Sequence, residues 1–347
     1  MQGKGFAFAA GVAAFLLAGS VHAQDKARLN IANAYPASLS LIGEAGPKLV
    51  ERVKRASGGT IDLRIYEPGA LVPAMEAIPA VSRGSVDGAY SSATNFASID
   101  PAFELFTSVP FGPPIGEYLA WMYYGGGLEL SRELFAAHNI HNIPCGLTPP
   151  EASGWFNKEI NRVEDLDGLK MRFSGLGARV MAKLGVATQL MAGGEIFQAL
   201  QLGVIDATEF GQPSMDQDFG LYLAAKYYYF PGWHQQASFF QIFINKDKWD
   251  SLSDQNQAVV ELACGDLLRD MIAEGEGIQF KALAEMRDKH EVEIKQWSPE
   301  ILSALGTAWE DVVSEISSES ENFARVYASY LQFREDYEVW RAIGYLQ

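Results

Sequence analysis

Arg172 closes the strand-like run in DGLKMRFSGLG (167–177), just before a glycine-rich loop, in a chain with 27 Lys+Arg against 43 Asp+Glu. A guanidinium is a planar fork of donors that matches a carboxylate. The C-terminal end of a strand, next to flexible backbone, is where α/β folds bind ligands. A surface ion pair with a nearby acid fits the same pattern equally well. Glu209 closes an apolar strand in IDATEFGQP (205–213), followed at once by Phe210 and a Gly-x-Pro turn. A carboxylate there can bind a cation or a ligand hydroxyl, or simply be a strand-end charge. YYYFPGWHQQ (227–236) sets four consecutive aromatics and a Pro-Gly turn before Trp233, His234, Gln235 and Gln236. It reads as a rigid wall with polar tips, or as an aromatic core segment.

Enzyme signatures are absent from the sequence: no GxSxG, HExxH, Walker loop or dinucleotide fingerprint. His138 and His141 are three apart but have no Cys or clear third ligand beside them, so they read as surface histidines near a helix end. Cys145 and Cys264 are the two cysteines; one bridge and two buried thiols are both open. The net charge of −16 argues against nucleic acid and anionic membrane surfaces.

The elements that must position these residues follow from periodicity. Lys4, the apolar run Phe6–Ala18 and Val21-His22-Ala23 read as a signal peptide cleaved after Ala23. No Cys follows that run, which argues against a lipid anchor at the cleavage site. ARLNIANAYP and IDLRIYEPG alternate as strands, and a helix between them ends at Gly58-Gly59. The first hundred residues therefore read β-α-β-α-β, the rhythm of an α/β domain. A middle segment, EYLAWMYYGGGLELSRELFAAHNI, is helical and aromatic, with Gly125–Gly127 as a turn or close packing point. From about Asn142 the α/β rhythm returns. From Asp254 the chain is mostly helical and ends in an apolar stripe: Phe323, Val326, Tyr327, Tyr330, Leu331, Phe333 and Trp340. That stripe has to pack on its own body or on a partner subunit.

Together the segments SGGTIDLRIYEPGALVPAMEAIPAVSRGSVDGAY, DPAFELFTSVPFG, AWMYYGGGLELSRELFA, GLKMR, ALQLGVIDATEF and YYYFPGW carry a resemblance. The chain resembles the substrate-binding proteins of tripartite ATP-independent periplasmic (TRAP) transporters over essentially its whole mature length. YYGGGLEL, YYYFPGW and VYASYLQFR look most like the branch that binds 2-oxo or 2-hydroxy acids with a metal ion. The resemblance implies an α/β, two-lobed periplasmic binding protein fold with long lobe-crossing helices and a long C-terminal helix. Its divisions would be a signal peptide (1–23), a mainly N-terminal lobe (24–145), a mainly C-terminal lobe (146–245) and a helical region completing both (246–347). It implies a receptor, not an enzyme, located in the periplasm. Its partners would be a small organic acid and the membrane permease subunits, with no nucleic acid.

The resemblance also assigns residues. Arg172 matches the arginine that clamps the ligand carboxylate, Thr94, Asn95 and Phe96 match the segment touching substrate, and Phe210 is expected beside the substrate as well. Glu209 and the backbone carbonyl of Phe210 match metal ligands for Na⁺ or Ca²⁺. The branch carries Tyr or Trp near position 96, so ATNF departs in detail. The position of Glu151 is usually Gln in this branch and that of Gln235 usually Glu, so a carboxylate has changed sides of the pocket. Gln235 is then expected among the metal ligands and Glu151 beside the substrate. A carboxylate there would repel a second ligand carboxylate. The expected ligand is a small monocarboxylate with an oxygen substituent at C2. The C-terminal helix resembles one that forms a swapped dimer in some members. Alternatives are a sugar-acid, dicarboxylate or zwitterion receptor, a ligand sensor, and an exported hydrolase using Glu151 or Glu209 as base.

Overall fold

The computed structural model describes residues 26–345. The expected signal peptide and its cleavage after Ala23 lie outside the described residues. Among the described residues the strands are β1 (Ala27–Asn33), β2 (Ile61–Tyr66), β3 (Gly88–Ser91), β4 (Ile140–Thr148), β5 (Gly154–Phe156), β6 (Lys170–Arg172), β7 (Ala187–Gln189), β8 (Ala207–Thr208), β9 (Tyr227–Phe230), β10 (Ser238–Asn245) and β11 (Glu293–Gln296). They form two sheets, ordered β2-β1-β3-β10-β4 and β11-β9-β5-β8-β6-β7. The fold is the mixed α/β, two-sheet architecture expected.

β1 pairs in parallel with β2 and β3, as the β-α-β rhythm requires, because a parallel partner needs a crossover. β10 returns antiparallel between β3 and β4. Its residues, SFFQIFIN, are all buried, so it is a central strand covered on both faces. Residues 238–245 thus belong to the first sheet, although they fall within the span 146–245 expected mainly in the second lobe. Sequence order could not show this, because an antiparallel return can land in either sheet.

The helix Asp254–His290 has 37 residues. At 1.5 Å per residue it is about 55 Å long, enough to cross both lobes. Cys264, Leu267 and Met271 pack in the core of the first sheet, whereas Met286 packs with Trp155 and Tyr228 of the second. Cys145 and Cys264 form a disulfide that ties β4 to this helix, which settles the question left open by the sequence. No helix among the described residues is long and apolar enough to cross a membrane.

The histidine expectation fails in part. The helix Gly127–Ala136 ends before His138, and His141 lies in β4, stacked on Trp249 at 4.2 Å. Burial pulls its pKa down to about 4. The glycine run joins the helices Ile115–Tyr124 and Gly127–Ala136, and Gly125 packs against Phe333. In the last helix, Glu321–Gly344, Phe323, Val326 and Tyr330 pack on the chain's own body, whereas Val339, Trp340 and Ile343 are exposed.

Candidate ligand and cation site

Strand register builds the centre of the site. β6 and β8 run parallel with Arg172 opposite Thr208, so Arg172 and Glu209 emerge side by side at the strand ends. The Glu209 N–H donates to the Arg172 carbonyl at 3.1 Å. The Arg172 guanidinium, 7% exposed, donates through Nη1 to the Glu209 carbonyl at 2.7 Å, and the same nitrogen lies 2.9 Å from Glu209 Oε1. Nε donates to the Met191 carbonyl at 3.4 Å, and the cation sits 5.5 Å from the Phe210 ring centroid. Nη2 donates to no group among the described residues.

Glu209 Oε1 also accepts from the Ser174 N–H at 2.7 Å and the Ser174 hydroxyl at 2.6 Å. Its Oε2 is buried without a partner. Close chain contact brings two more groups in. The Gly232 N–H donates to the Glu151 carbonyl at 3.0 Å, where a Cβ on residue 232 would come within 2.2 Å of that oxygen. Only glycine permits this approach. The Glu151 N–H in turn donates to the Gln235 carbonyl at 3.3 Å. The result sets His234 Nε2 2.8 Å from Glu151 Oε1. These two atoms are not aligned for a hydrogen bond, and both lack a partner, as does His234 Nδ1.

Ligand atoms from Glu151, Glu209 and His234 all lie within 4.8 Å of one another. All three residues are buried. Burial first, and then the Glu209 charge, push the Glu151 carboxyl well above its usual range, against the pull of Arg172. Burial lowers His234 to about 4, so its imidazole is neutral and offers a lone pair. Asp216, also buried, accepts from Trp155 Nε1 at 2.9 Å and the Tyr228 hydroxyl at 2.7 Å, and leaves Oδ1 unpartnered. Its pKa rises to about 8, chiefly through burial. Arg172 thus pairs with Glu209 and pulls on Glu151, whereas Asp216 feels the charges of those two acids. Unpaired buried polar atoms are rare and costly. Oxygen and imidazole donors with unused lone pairs fit a bound cation.

Beside this cluster lies a cleft of about 400 Å³. Tyr35, Ser92, Thr94, Asn95, Arg172 and Ser174 form its polar side, and Phe210 and Phe219 part of its apolar side. Of the residues expected to touch substrate, Thr94, Asn95 and Arg172 line this cleft. Phe96 does not: it is fully buried against Phe103, Phe135 and Phe243. The short 3₁₀ turn Ala93–Phe96 directs its last side chain inward. Phe210 lines the cleft through its ring. Glu151 sits in the cluster with Glu209 and His234 rather than on the cleft wall. The Gln235 side chain accepts from the Ser238 hydroxyl, and His234 takes the place in the cluster expected for Gln235. Tyr35, Asp216 and His234 were missed as site residues. His234 had one signal, its place in the aromatic wall after the Pro-Gly turn.

The family model of bacterial extracellular solute-binding protein family 7, DctP, matches residues 32–320. A monocarboxylate 2-oxoacid-binding periplasmic protein of Nostoc sp. PCC 7120 is 33% identical over 320 residues, covering 92% of this chain and 87% of that protein. A TRAP transporter solute-binding protein of Bordetella bronchiseptica RB50 superposes with a TM-score of 0.89 at 32% identity, covering 92% of this chain and 95% of that one. It was solved as a mixed-occupancy dimer with copurified calcium and picolinate in its active site. A TRAP periplasmic solute-binding protein of Pseudoalteromonas atlantica T6c, solved with sodium and pyruvate, gives 0.87 at 30% identity, covering 91% and 96%. The chain therefore belongs to the DctP family and is an extracytoplasmic solute-binding receptor of the TRAP type, not an enzyme.

Proposed function

We propose that this receptor captures a small monocarboxylate bearing a 2-oxo or 2-hydroxy group, together with Na⁺ or Ca²⁺, and delivers it to its membrane permease. The observation that carries this reading is Arg172, with Nη2 unused on the cleft wall, beside carboxylates whose buried oxygens lack partners. Arg172 holds the ligand carboxylate, and Thr94 and Asn95 supply polar contacts. Glu151, Glu209 and the Phe210 carbonyl hold the cation, with His234 next to them. Gln235 joins them only if its side chain leaves Ser238. The cation would supply the positive charge that lets Glu151 ionise. The names of the relatives agree: one is called monocarboxylate 2-oxoacid-binding, and others were solved with pyruvate and sodium or calcium.

A thermal-shift screen of ligand-stripped mature protein tests this. Pyruvate, lactate and longer 2-oxo acids, each with Ca²⁺, Na⁺ or EDTA, are compared with dicarboxylates, sugar acids and zwitterions. A ligand at a hundred times its dissociation constant stabilises by about 2.7 kcal/mol. A monocarboxylate shift abolished by EDTA in sodium-free buffer, and restored by Ca²⁺ or Na⁺, is expected. A dicarboxylate shift independent of metal overturns the reading.

Two finer points belong to the same proposal. Residues 1–23 act as a signal peptide, checked by the N-terminal sequence of exported protein, which should begin at Gln24. The exposed Val339, Trp340 and Ile343 at the end of the last helix form a homodimer contact, in keeping with the dimeric relative. Sedimentation of Trp340→Asp beside the wild type checks this: a dimer in the wild type alone is expected.

A further inference from the structure

We infer that the natural ligand carries an apolar substituent of four or more carbons, branched or aromatic, and that Gly194 sets its permitted size. This rests on the monocarboxylate reading above and names the class of acid within it.

The cleft of about 400 Å³ is the first observation. That is the liquid volume of roughly thirteen waters, and a three-carbon acid with six heavy atoms would fill about a quarter of it. The second is the character of the unfilled part. Met75 from the first lobe and Leu190 from the second both line the cleft, and each is 48% exposed. Met191 and Phe219 continue the same wall. Large apolar side chains left open on opposite sides of one cleft have no use for a ligand that stops at a methyl group. They gain by covering an apolar one.

Charge supplies the third observation. Among the described residues that line the cleft, Arg172 is the one cation, and Glu67 is the other charged group. One carboxylate is matched. A second, at the far end of a dicarboxylate, would find no second cation in the lining, and Glu67 would repel it.

Gly194 is where the wall is kept low. Its neighbour Gly193 is locked, since a Cβ there would come within 2.8 Å of the Phe210 ring and 3.0 Å of the Phe219 ring. Gly194 also lines the cleft, but a Cβ there meets nothing within 4 Å and its φ is not positive. It is the second residue of the helix Gly193–Gln201, where most residues are better helix formers than glycine. Its missing side chain therefore leaves room for a ligand instead of meeting a backbone requirement.

Calorimetric titration of ligand-stripped protein in saturating Ca²⁺ tests the inference with pyruvate, 4-methyl-2-oxopentanoate, phenylpyruvate and 2-oxoglutarate. Each buried methylene is worth about fourfold in affinity, so the branched acid, three carbons longer, should bind about sixtyfold tighter than pyruvate. In Gly194→Leu that ratio should fall below about fivefold, and Leu190→Asn, at an exposed position, should lower it in the same direction. Pyruvate binding as tightly as 4-methyl-2-oxopentanoate overturns the inference and leaves the monocarboxylate reading standing. So does a ratio unchanged in folded Gly194→Leu. If 2-oxoglutarate binds tightest, or none of the acids binds, the monocarboxylate reading fails and this inference with it.

Discussion

Two buried acidic regions of this molecule are matched by positive charge in opposite ways. Glu117, in the helix Ile115–Tyr124, is 2% exposed and faces two guanidiniums: Arg334 Nε donates to its Oε1 at 3.0 Å, and Arg341 lies 3.8 Å from Oε2. Glu151, Glu209 and Asp216 are also buried, yet among the described residues Arg172 is the one guanidinium that touches them, through Glu209. In the first region charge is matched within the chain, and the arrangement fastens the last helix to the body. In the second Arg172 matches Glu209 alone, while burial holds Glu151 and Asp216 protonated and leaves oxygens of all three acids without partners. Buried polar atoms left unpartnered are costly, and a cation from solution would satisfy them.

Breaking the functional region should cost binding most. Arg172→Met should lower acid affinity a hundredfold or more, since truncating one partner of a desolvated charge pair costs about 2–5 kcal/mol. Titration calorimetry reads this, with circular dichroism to confirm the fold. Breaking the structural region should cost stability instead. Glu117→Gln should destabilise the protein to urea by about 3 kcal/mol, because Arg334 loses its counter-charge, whereas Arg341 keeps Glu338. Its acid affinity should stay within about twofold of wild type, because Glu117 makes no contact with the cleft.

Glu104 sharpens the comparison because it lies between the two cases. It is 2% exposed, with one guanidinium, Arg179, 3.7 Å away, and its Oε2 unpartnered. Burial outweighs Arg179 and raises its pKa from 4.5 to about 7. Below pH 4.5 both folded and unfolded chains hold this proton. Between pH 4.5 and 7 the unfolded chain releases it while the folded chain keeps it, so stability falls as pH rises. The loss should level off above pH 7 at up to about 3 kcal/mol. Urea melts of Glu104→Gln across this range should be flatter than wild type and more stable at pH 8. The smallest effect on the cation-free protein belongs to Glu151→Gln. Its carboxyl is held protonated by burial, so the amide should change urea stability by less than about 1 kcal/mol. The same variant should lose most of the stabilisation that Ca²⁺ adds in the presence of acid.

The sequence was most legible where the determinant was local. Alternation marked β1 and β2, and strand-end position marked Arg172 and Glu209, because both signals are written within a few residues. Phe96 was misplaced because resemblance locates a segment, whereas the inward turn of a 3₁₀ helix decides which side chain faces the cleft. His234 and Glu151 meet only because residue 232 allows two backbones to touch, a contact between segments some eighty residues apart. β10 could not be assigned to its sheet for the same reason. The pairing of Cys145 with Cys264 depends on how a helix 119 residues later lies across β4. What was missed is non-local: it depends on register and close packing, which no window of sequence contains.

Glu151 and Glu209, whose buried oxygens lack partners, are proposed to take a cation together with the acid. The most direct test is elemental analysis of ligand-stripped protein after gel filtration in Ca²⁺ buffer, with and without 4-methyl-2-oxopentanoate. The account predicts one calcium per chain retained with the acid, and none in Glu209→Gln. Tight acid binding with calcium no higher than in the acid-free control would contradict it.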